Sequence, residues 1–226
     1  ESAQAVGEIL RKKLDEMEHV SLQWKYWWPR FERLVAWYVA EEIKWREDAL
    51  PWIQEEQGSY KLFENRTTGR SFTVTAKADR IDRIKTGGVA IIDYKTGSIP
   101  PNNKLGDGRA PQLPIEALLV SKGGYRETPH TAELLSYWKL SGSFSAEGKI
   151  TFPSKKMNME QLVAAAEDGL LKLVTKFEDP QTPYLARPQS GKIYDDEKAY
   201  AHLARTAEWA SESFDEESDD TAEEAE

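Results

Sequence analysis

The run Val89-Ala90-Ile91-Ile92 is apolar without a break and turns abruptly into Asp93-Tyr94-Lys95. An apolar run of that length reads as a short buried strand. Alternate side chains of a strand share a face, so Asp93 and Lys95 project together and Tyr94 projects away. A carboxylate beside an ammonium at the end of a buried strand is costly to place, and the pair therefore demands a role. Upstream, Phe72, Val74, Ala76 and Ala78 alternate with Thr73, Thr75 and Lys77, the pattern of a half-buried strand. The apolar parity then slips to Ile81, which predicts a bulge or bend near Asp79, and such bulges re-aim side chains. Lys85-Thr86-Gly87-Gly88 reads as a hairpin turn.

Folding that hairpin brings Asp79 or Asp82 close to Asp93. Two carboxylates followed by a lysine suit a hard cation such as magnesium, which takes few carboxylates plus waters and substrate phosphates. The competing reading is structural: Asp82 pairs with Arg80 or Arg83, and Lys95 merely neutralises Asp93.

The ordered series ADRID, IIDYKTG and APQLPIEALL resembles the RecB-like branch of the PD-(D/E)XK nucleases. It is most similar to the C-terminal nuclease domain of AddB, a subunit of the bacterial double-strand-break repair helicase–nuclease. WWPRFERLVAWYVAEE before the series, and LSYWKLSG and YAHLARTAEW after it, extend the resemblance over most of residues 24–210. The resemblance implies an α+β fold of the PD-(D/E)XK, restriction-endonuclease-like kind, a mixed sheet flanked by helices. It implies a Mg2+- or Mn2+-dependent deoxyribonuclease, with Asp79, Asp93 and the backbone carbonyl of Tyr94 as metal ligands and Lys95 as the catalytic ammonium. Gln112 matches a glutamine that borders the active site and DNA in this family. Many RecB-like nucleases carry a tyrosine four positions later, where this chain has Glu116. Glu56, two residues before Gly58, matches an upstream acid that assists the metal, with Glu55 as the register alternative. Asp82 is the alternative ligand for Asp79.

The remainder of the chain is read around that core. Val6, Ile9, Leu10 and Leu14 recur at helical spacing, and Pro29 interrupts before a second helix of Phe31, Leu34, Val35, Tyr38 and Val39. Ile53–Thr67 reads as a strand, Asn102–Pro111 as a Gly/Asn/Pro-rich loop, Gln112–Val120 as a helix and Leu134–Leu140 as a strand. Met159–Phe177 and Glu197–Trp209 read as further helices. Six of the eight tryptophans fall at positions 24, 27, 28, 37, 45 and 52, as core or as an interface lacking its neighbour. The expected organisation is a helical N-terminal part over 1–52, a nuclease core with C-terminal helices over 53–210, and an acidic tail over 211–226.

That tail holds nine acidic and no basic residues, a composition expected to stay disordered. Removing its nine acids from the 39 Asp and Glu leaves 30, matching the 30 Lys and Arg, so the net charge of −9 belongs to the tail. Local basic clusters such as Lys155-Lys156 remain available to phosphates. The absence of cysteine excludes disulfides, thiolate metal sites and a cysteine nucleophile. No run approaches the ~18 apolar residues of a membrane span, and no signal peptide is visible. A cytoplasmic protein without membrane attachment is expected. No GxxxxGK[ST] pattern is present, so a motor lies elsewhere.

His19, His130 and His202 lie outside the N-terminal GxxxH-like context that supplies a metal ligand in the resembled family. That motif is expected to precede Glu1, the chain being read as a fragment. Expected partners are DNA, an AddA-type helicase–nuclease subunit and the rest of an AddB-like chain. The two functional readings are a metal-dependent DNA exonuclease domain acting in recombinational repair, and a noncatalytic DNA-channel or subunit-interface domain that retains the fold.

Overall fold

The hairpin forms where the sequence places it. Strand β2 (Ser71–Ile84) turns back into β3 (Val89–Lys95), pairing Arg80 with Ile92 through Arg83 with Val89. Gly87 and Gly88 take positive φ angles of 120° and 68°, a left-handed backbone that side chains with a Cβ resist. The structure is a computed structural model and describes residues 3–15, 23–143, 148–153 and 158–184.

Around the hairpin a five-stranded mixed sheet is built in the order β1-β2-β3-β4-β5. β1 (Ala49–Glu64) runs antiparallel to β2, β4 (Ala132–Leu140) parallel to β3, and β5 (Gly148–Thr151) antiparallel to β4. The parallel step requires a crossover. It contains the short α3 (Asn102–Gly106) and the buried α4 (Gln112–Ser121). A mixed sheet with flanking helices is the expected α+β architecture of a PD-(D/E)XK-type fold.

Val89, Ala90, Ile91 and Ile92 are each fully buried, because both faces of the sheet are covered at β3. On one face, Ile53, Ile81 and Ile91 pack into a core with Leu113, Ala117, Leu119 and Val120 of α4. Leu162, on α5 (Met159–Glu178), joins the same core. On the other face, α2 (Gln23–Trp45) brings Trp37, Tyr38 and Trp45 against Trp138 of β4, with ring centroids 5.8–6.4 Å apart in edge-on geometry. α2 also packs against α1 (Ala3–Asp15), where Arg11 meets Glu32 and the Trp28 ring.

Several boundaries differ from the sequence reading. Pro29 does not divide two helices but lies inside α2. It sits in the second turn and forfeits one backbone hydrogen bond, while the packed aromatic face downstream sustains the helix. β1 begins at Ala49 and so crosses position 52. It ends at Glu64, because the Asn65 carboxamide accepts the N–H groups of Thr67 and Thr68 and closes a turn. α3 lies within the expected 102–111 loop, and the four-residue β5 was not foreseen.

The chain divides into two compact units, residues 1–175 and 176–226. The first carries the sheet. In the second, the described residues reach 184, and Phe177 stacks on Tyr184 at 4.9 Å. The expected 197–209 helix, the 211–226 tail, His19, His202, Lys155-Lys156 and the side chain of Trp24 lie outside the described residues. Among the described residues, no helix is long and apolar enough to cross a membrane.

Candidate active site

The expected irregularity near Asp79 is present, and it decides which side chains meet. The β1–β2 ladder pairs Gln54 with Arg80 and Glu56 with Ala78, but the Glu55–Asp79 pair between them is missing. Glu55 itself has φ 52°, a left-handed conformation uncommon for a side chain with a Cβ. Val74 and Ala78 before the break and Ile81 after it all enter one core cluster. Strict alternation would send Ile81 to the opposite face. The slip therefore puts Asp79 on the α4 side with Ile81, and Arg80 and Asp82 on the α2 side.

At the same point β2 and β3 part. Their ladder stops at Arg80–Ile92, whereas β3 stays paired with β4 through Lys95. Continuing the antiparallel register by one residue sets Asp79 opposite Asp93. In place of the lost ladder bond, the Tyr94 backbone N–H donates to Asp79 Oδ2 at 2.9 Å. A fork between two strands thus holds an aspartate on each tine.

Asp93 is 1% exposed. Lys95 Nζ donates to Asp93 Oδ1 at 3.0 Å, and Gln112 Nε2 donates to the same oxygen at 2.5 Å. Lys95 Nζ also donates to Gln112 Oε1 at 2.9 Å. The three side chains form a closed triangle in which the Gln112 amide joins acid to base. Asp93 Oδ2 is buried and lies 2.8 Å from Lys95 Nζ, so the one ammonium spans both carboxylate oxygens. Burial pushes the Asp93 carboxyl up; Lys95 pulls it down, the Asp79 charge raises it further, and Gln112 opposes. Tyr137 of β4 stands beside Asp93 in the ladder, and Lys95 Nζ is 5.9 Å from its ring centroid. The site grades from buried Asp93 to the half-buried Lys95 and the exposed Gln112 at its lip.

Glu116 joins this group from below. It lies one turn along α4 from Gln112, is 1% exposed, and receives Gln112 Nε2 on Oε1 at 3.4 Å. Its Oε2 is buried without a hydrogen-bond partner. Burial foremost, with the charges of Asp93 and Asp79, raises its carboxyl to about 8, against the lowering influence of Gln112 and Lys95. Sequence reading noted Glu116 only as the residue standing where a tyrosine is usual. The signal that finds it is its spacing: i and i+4 positions share a helix face, and Glu116 is the sole charge in LPIEALLV.

Asp82 goes elsewhere. It is fully buried on the α2 side, where Arg80 forks onto both of its oxygens and Trp45 Nε1 donates to Oδ2 at 2.7 Å. Arg80 also forks onto Glu42 at 2.7 and 3.0 Å and donates to the Tyr94 hydroxyl at 3.2 Å. Burial disfavours the Arg80 charge, but the hydrogen bonds it donates to Asp82 and Glu42 outweigh it and raise its affinity for the proton. The Glu56 carboxylate is forked onto Arg126 at 2.8–3.2 Å. Glu55, its register alternative, pairs with Lys77 at 2.6 Å. His130 packs on the Trp52 ring, with centroids 4.5 Å apart.

The donors available at the fork are hard oxygens: the carboxylates of Asp79 and Asp93 and the neighbouring main-chain carbonyl of Tyr94. That donor set, all oxygen and including two carboxylates, fits a hard divalent cation. Among the described residues, no three His, Cys, Asp or Glu side chains gather closely enough to enclose a metal unaided. Sites in which water and substrate complete the sphere need fewer protein ligands.

A sequence model of the PD-(D/E)XK nuclease superfamily matches residues 1–223. Similar curated proteins include an uncharacterised protein of Rickettsia conorii, 27% identical over 139 residues, and one of Rickettsia typhi, 29% identical over 101 residues. The matches cover 59% and 45% of this chain but only 16% and 11% of those proteins' own lengths. Among solved structures, the crystal structure of SSO0001 aligns with a TM-score of 0.33 at 17% identity, covering 75% of this chain and 86% of that one.

Proposed function

Because the chain belongs to the PD-(D/E)XK nuclease superfamily, we propose that it is a divalent-metal-dependent DNA exonuclease domain of an AddB-type helicase–nuclease subunit. The observation that carries the nuclease reading is the fork of β2 and β3, which gathers Asp79, Asp93, Lys95 and Gln112 at one partly open place. The AddB assignment rests on the ordered motifs between residues 24 and 210. It implies action on DNA ends during recombinational repair, alongside an AddA-type subunit and within a longer polypeptide.

In this reading Asp79, Asp93 and the Tyr94 carbonyl hold Mg2+ or Mn2+, which supplies Lewis acidity toward a phosphate and acidifies water. Lys95 provides the fixed positive charge. Its ammonium lies at the lip of the site, tied to Asp93 and Gln112, where it stabilises the negative charge that develops on a phosphate during attack. The Gln112 amide keeps Lys95 and Asp93 at a set separation. The exposed edge of Gln112 borders the path of the nucleic acid.

A single-turnover assay on end-labelled duplex and single-stranded DNA tests this reading. Cleavage is expected with Mg2+ or Mn2+, lost on chelation, and slowed roughly 100- to 1,000-fold by Lys95→Ala, the usual cost of removing a transition-state charge contact. Cleavage by Lys95→Ala at the parental rate would overturn the assignment. Metal binding without any cleavage would instead favour a noncatalytic DNA-channel or subunit-interface domain.

A further inference from the structure

The mechanism above uses Gln112 but leaves unexplained the acid beneath it. Glu116 is the sole charged residue on α4, is almost wholly buried, and has one oxygen with no hydrogen-bond partner. A buried carboxyl so poorly satisfied destabilises the fold. The other buried residues of α4, Leu113, Pro114, Ala117, Leu118, Leu119 and Val120, are all apolar and carry no such cost.

The geometry around Gln112 shows what Glu116 supplies. The Gln112 side chain is exposed at the lip and has several rotatable bonds to freeze. Lys95 and Asp93 set the polarity of its amide, carbonyl toward the ammonium and NH2 toward the carboxylate. They touch only its outer end. Nε2 carries two hydrogens; Asp93 Oδ1 accepts one, and Glu116 Oε1 lies 3.4 Å away in position to accept the other. Glu116 is itself fixed by burial on the same helix face, so it anchors the amide from a rigid element. A cation drawing on Asp93 would weaken that residue's hold on the amide, leaving Glu116 as the acceptor that still fixes it.

We propose that Glu116 is a positioning residue of this site, holding the Gln112 amide so that Lys95 and Asp93 keep their geometry. The proposal rests on the nuclease reading for its consequence in catalysis, but the positioning itself is testable without it. The trade is one of fold stability for site order.

The test uses Glu116→Leu, Glu116→Gln and the parent chain. The Gln112 side-chain NH2 is observed by 1H–15N NMR in metal-free, DNA-free protein and identified by its disappearance in Gln112→Glu. In the parent it is expected as two distinct, slowly exchanging protons. In Glu116→Leu the two are expected to broaden or shift and to exchange faster, while the melting temperature stays equal or rises. Glu116→Gln keeps an acceptor oxygen and is expected to restore most of the fixed signal; Glu116→Met takes the place of the leucine variant should that one fail to fold. In single-turnover cleavage, Glu116→Leu is expected to lower the rate at saturating DNA about tenfold, as outer supports of a site do, without raising the DNA concentration needed. An unchanged Gln112 signal in both variants would overturn the positioning claim whatever the activity. An amide fixed in the parent and released in Glu116→Leu, with no DNA cleavage by either, would support positioning and count against the nuclease reading alone. A melting temperature that falls in step with activity would mark Glu116 as merely structural.

Discussion

The two faces of the β2–β3 hairpin carry the same residue types in opposite states. On the α2 face, Asp82 and Glu42 share Arg80, Trp45 and Tyr94 close the network, and both Asp82 oxygens are engaged. On the α4 face, Asp93 pairs with Lys95, and Glu116 keeps a buried oxygen with no hydrogen-bond partner. Only two residues separate Asp79 from Asp82 in sequence, yet one borders a site and the other braces the fold. Buried charges fully engaged with one another give rigidity, whereas a buried carboxyl with an unfilled oxygen lowers stability and is retained where something else uses it. The braced face also steadies the other: Tyr94, between Asp93 and Lys95, fixes its hydroxyl to Arg80 and to Tyr38.

That contrast is broken most forcefully from the braced side. Asp82→Ala leaves Arg80 buried with half its partners gone, and stability is expected to fall by about 3–5 kcal/mol, the usual cost of splitting a buried pair. Urea unfolding reads this directly. Cleavage per folded molecule should persist, since Asp82 touches nothing on the α4 face. A stability loss below about 1 kcal/mol would mean that the network is not the brace described.

A smaller effect comes from the unsatisfied side, through pH. The Glu116 carboxyl is raised to about 8 in the folded chain, against about 4.3 for an unperturbed glutamate. Below the unfolded value both states are protonated and the residue is neutral in its effect. Between the two values the unfolded chain loses the proton while the folded chain keeps it, so stability falls as pH rises; above about 8 the decline levels off. The free energy of unfolding should change between pH 5 and pH 8 by on the order of 3 kcal/mol more in the parent than in Glu116→Gln. Identical pH slopes in the two would show that Glu116 is not held protonated by its surroundings.

The hairpin and the Asp93-Tyr94-Lys95 terminus were legible because apolar continuity, a two-residue period and a Gly-Gly turn are local signals. The parity slip from Ala78 to Ile81 even located the irregularity. What the sequence left open was its counterpart, the left-handed Glu55 on the neighbouring strand, and whether Asp79 or Asp82 turns toward Asp93. That choice depends on pairing between strands, which no local pattern encodes. The partner that Glu56 takes was not legible for a similar reason: Arg126 lies 70 residues away and reaches it only in the folded chain. Glu116 was visible as a charge in an apolar helix, but its neighbours Asp93 and Lys95 come from another element.

Calorimetric titration of Mn2+ into Asp79→Asn and Asp82→Asn, beside the parent chain, tests the division of the two faces most directly. Loss of Asp79 should weaken binding by at least the roughly 10- to 100-fold that removing even an outer support of a metal ligand costs. Asp82→Asn should bind Mn2+ within about twofold of the parent while unfolding at lower urea, because its damage is confined to the network under Arg80. Normal binding by Asp79→Asn together with lost binding by Asp82→Asn would contradict the account, and would place the metal on the face described here as the brace.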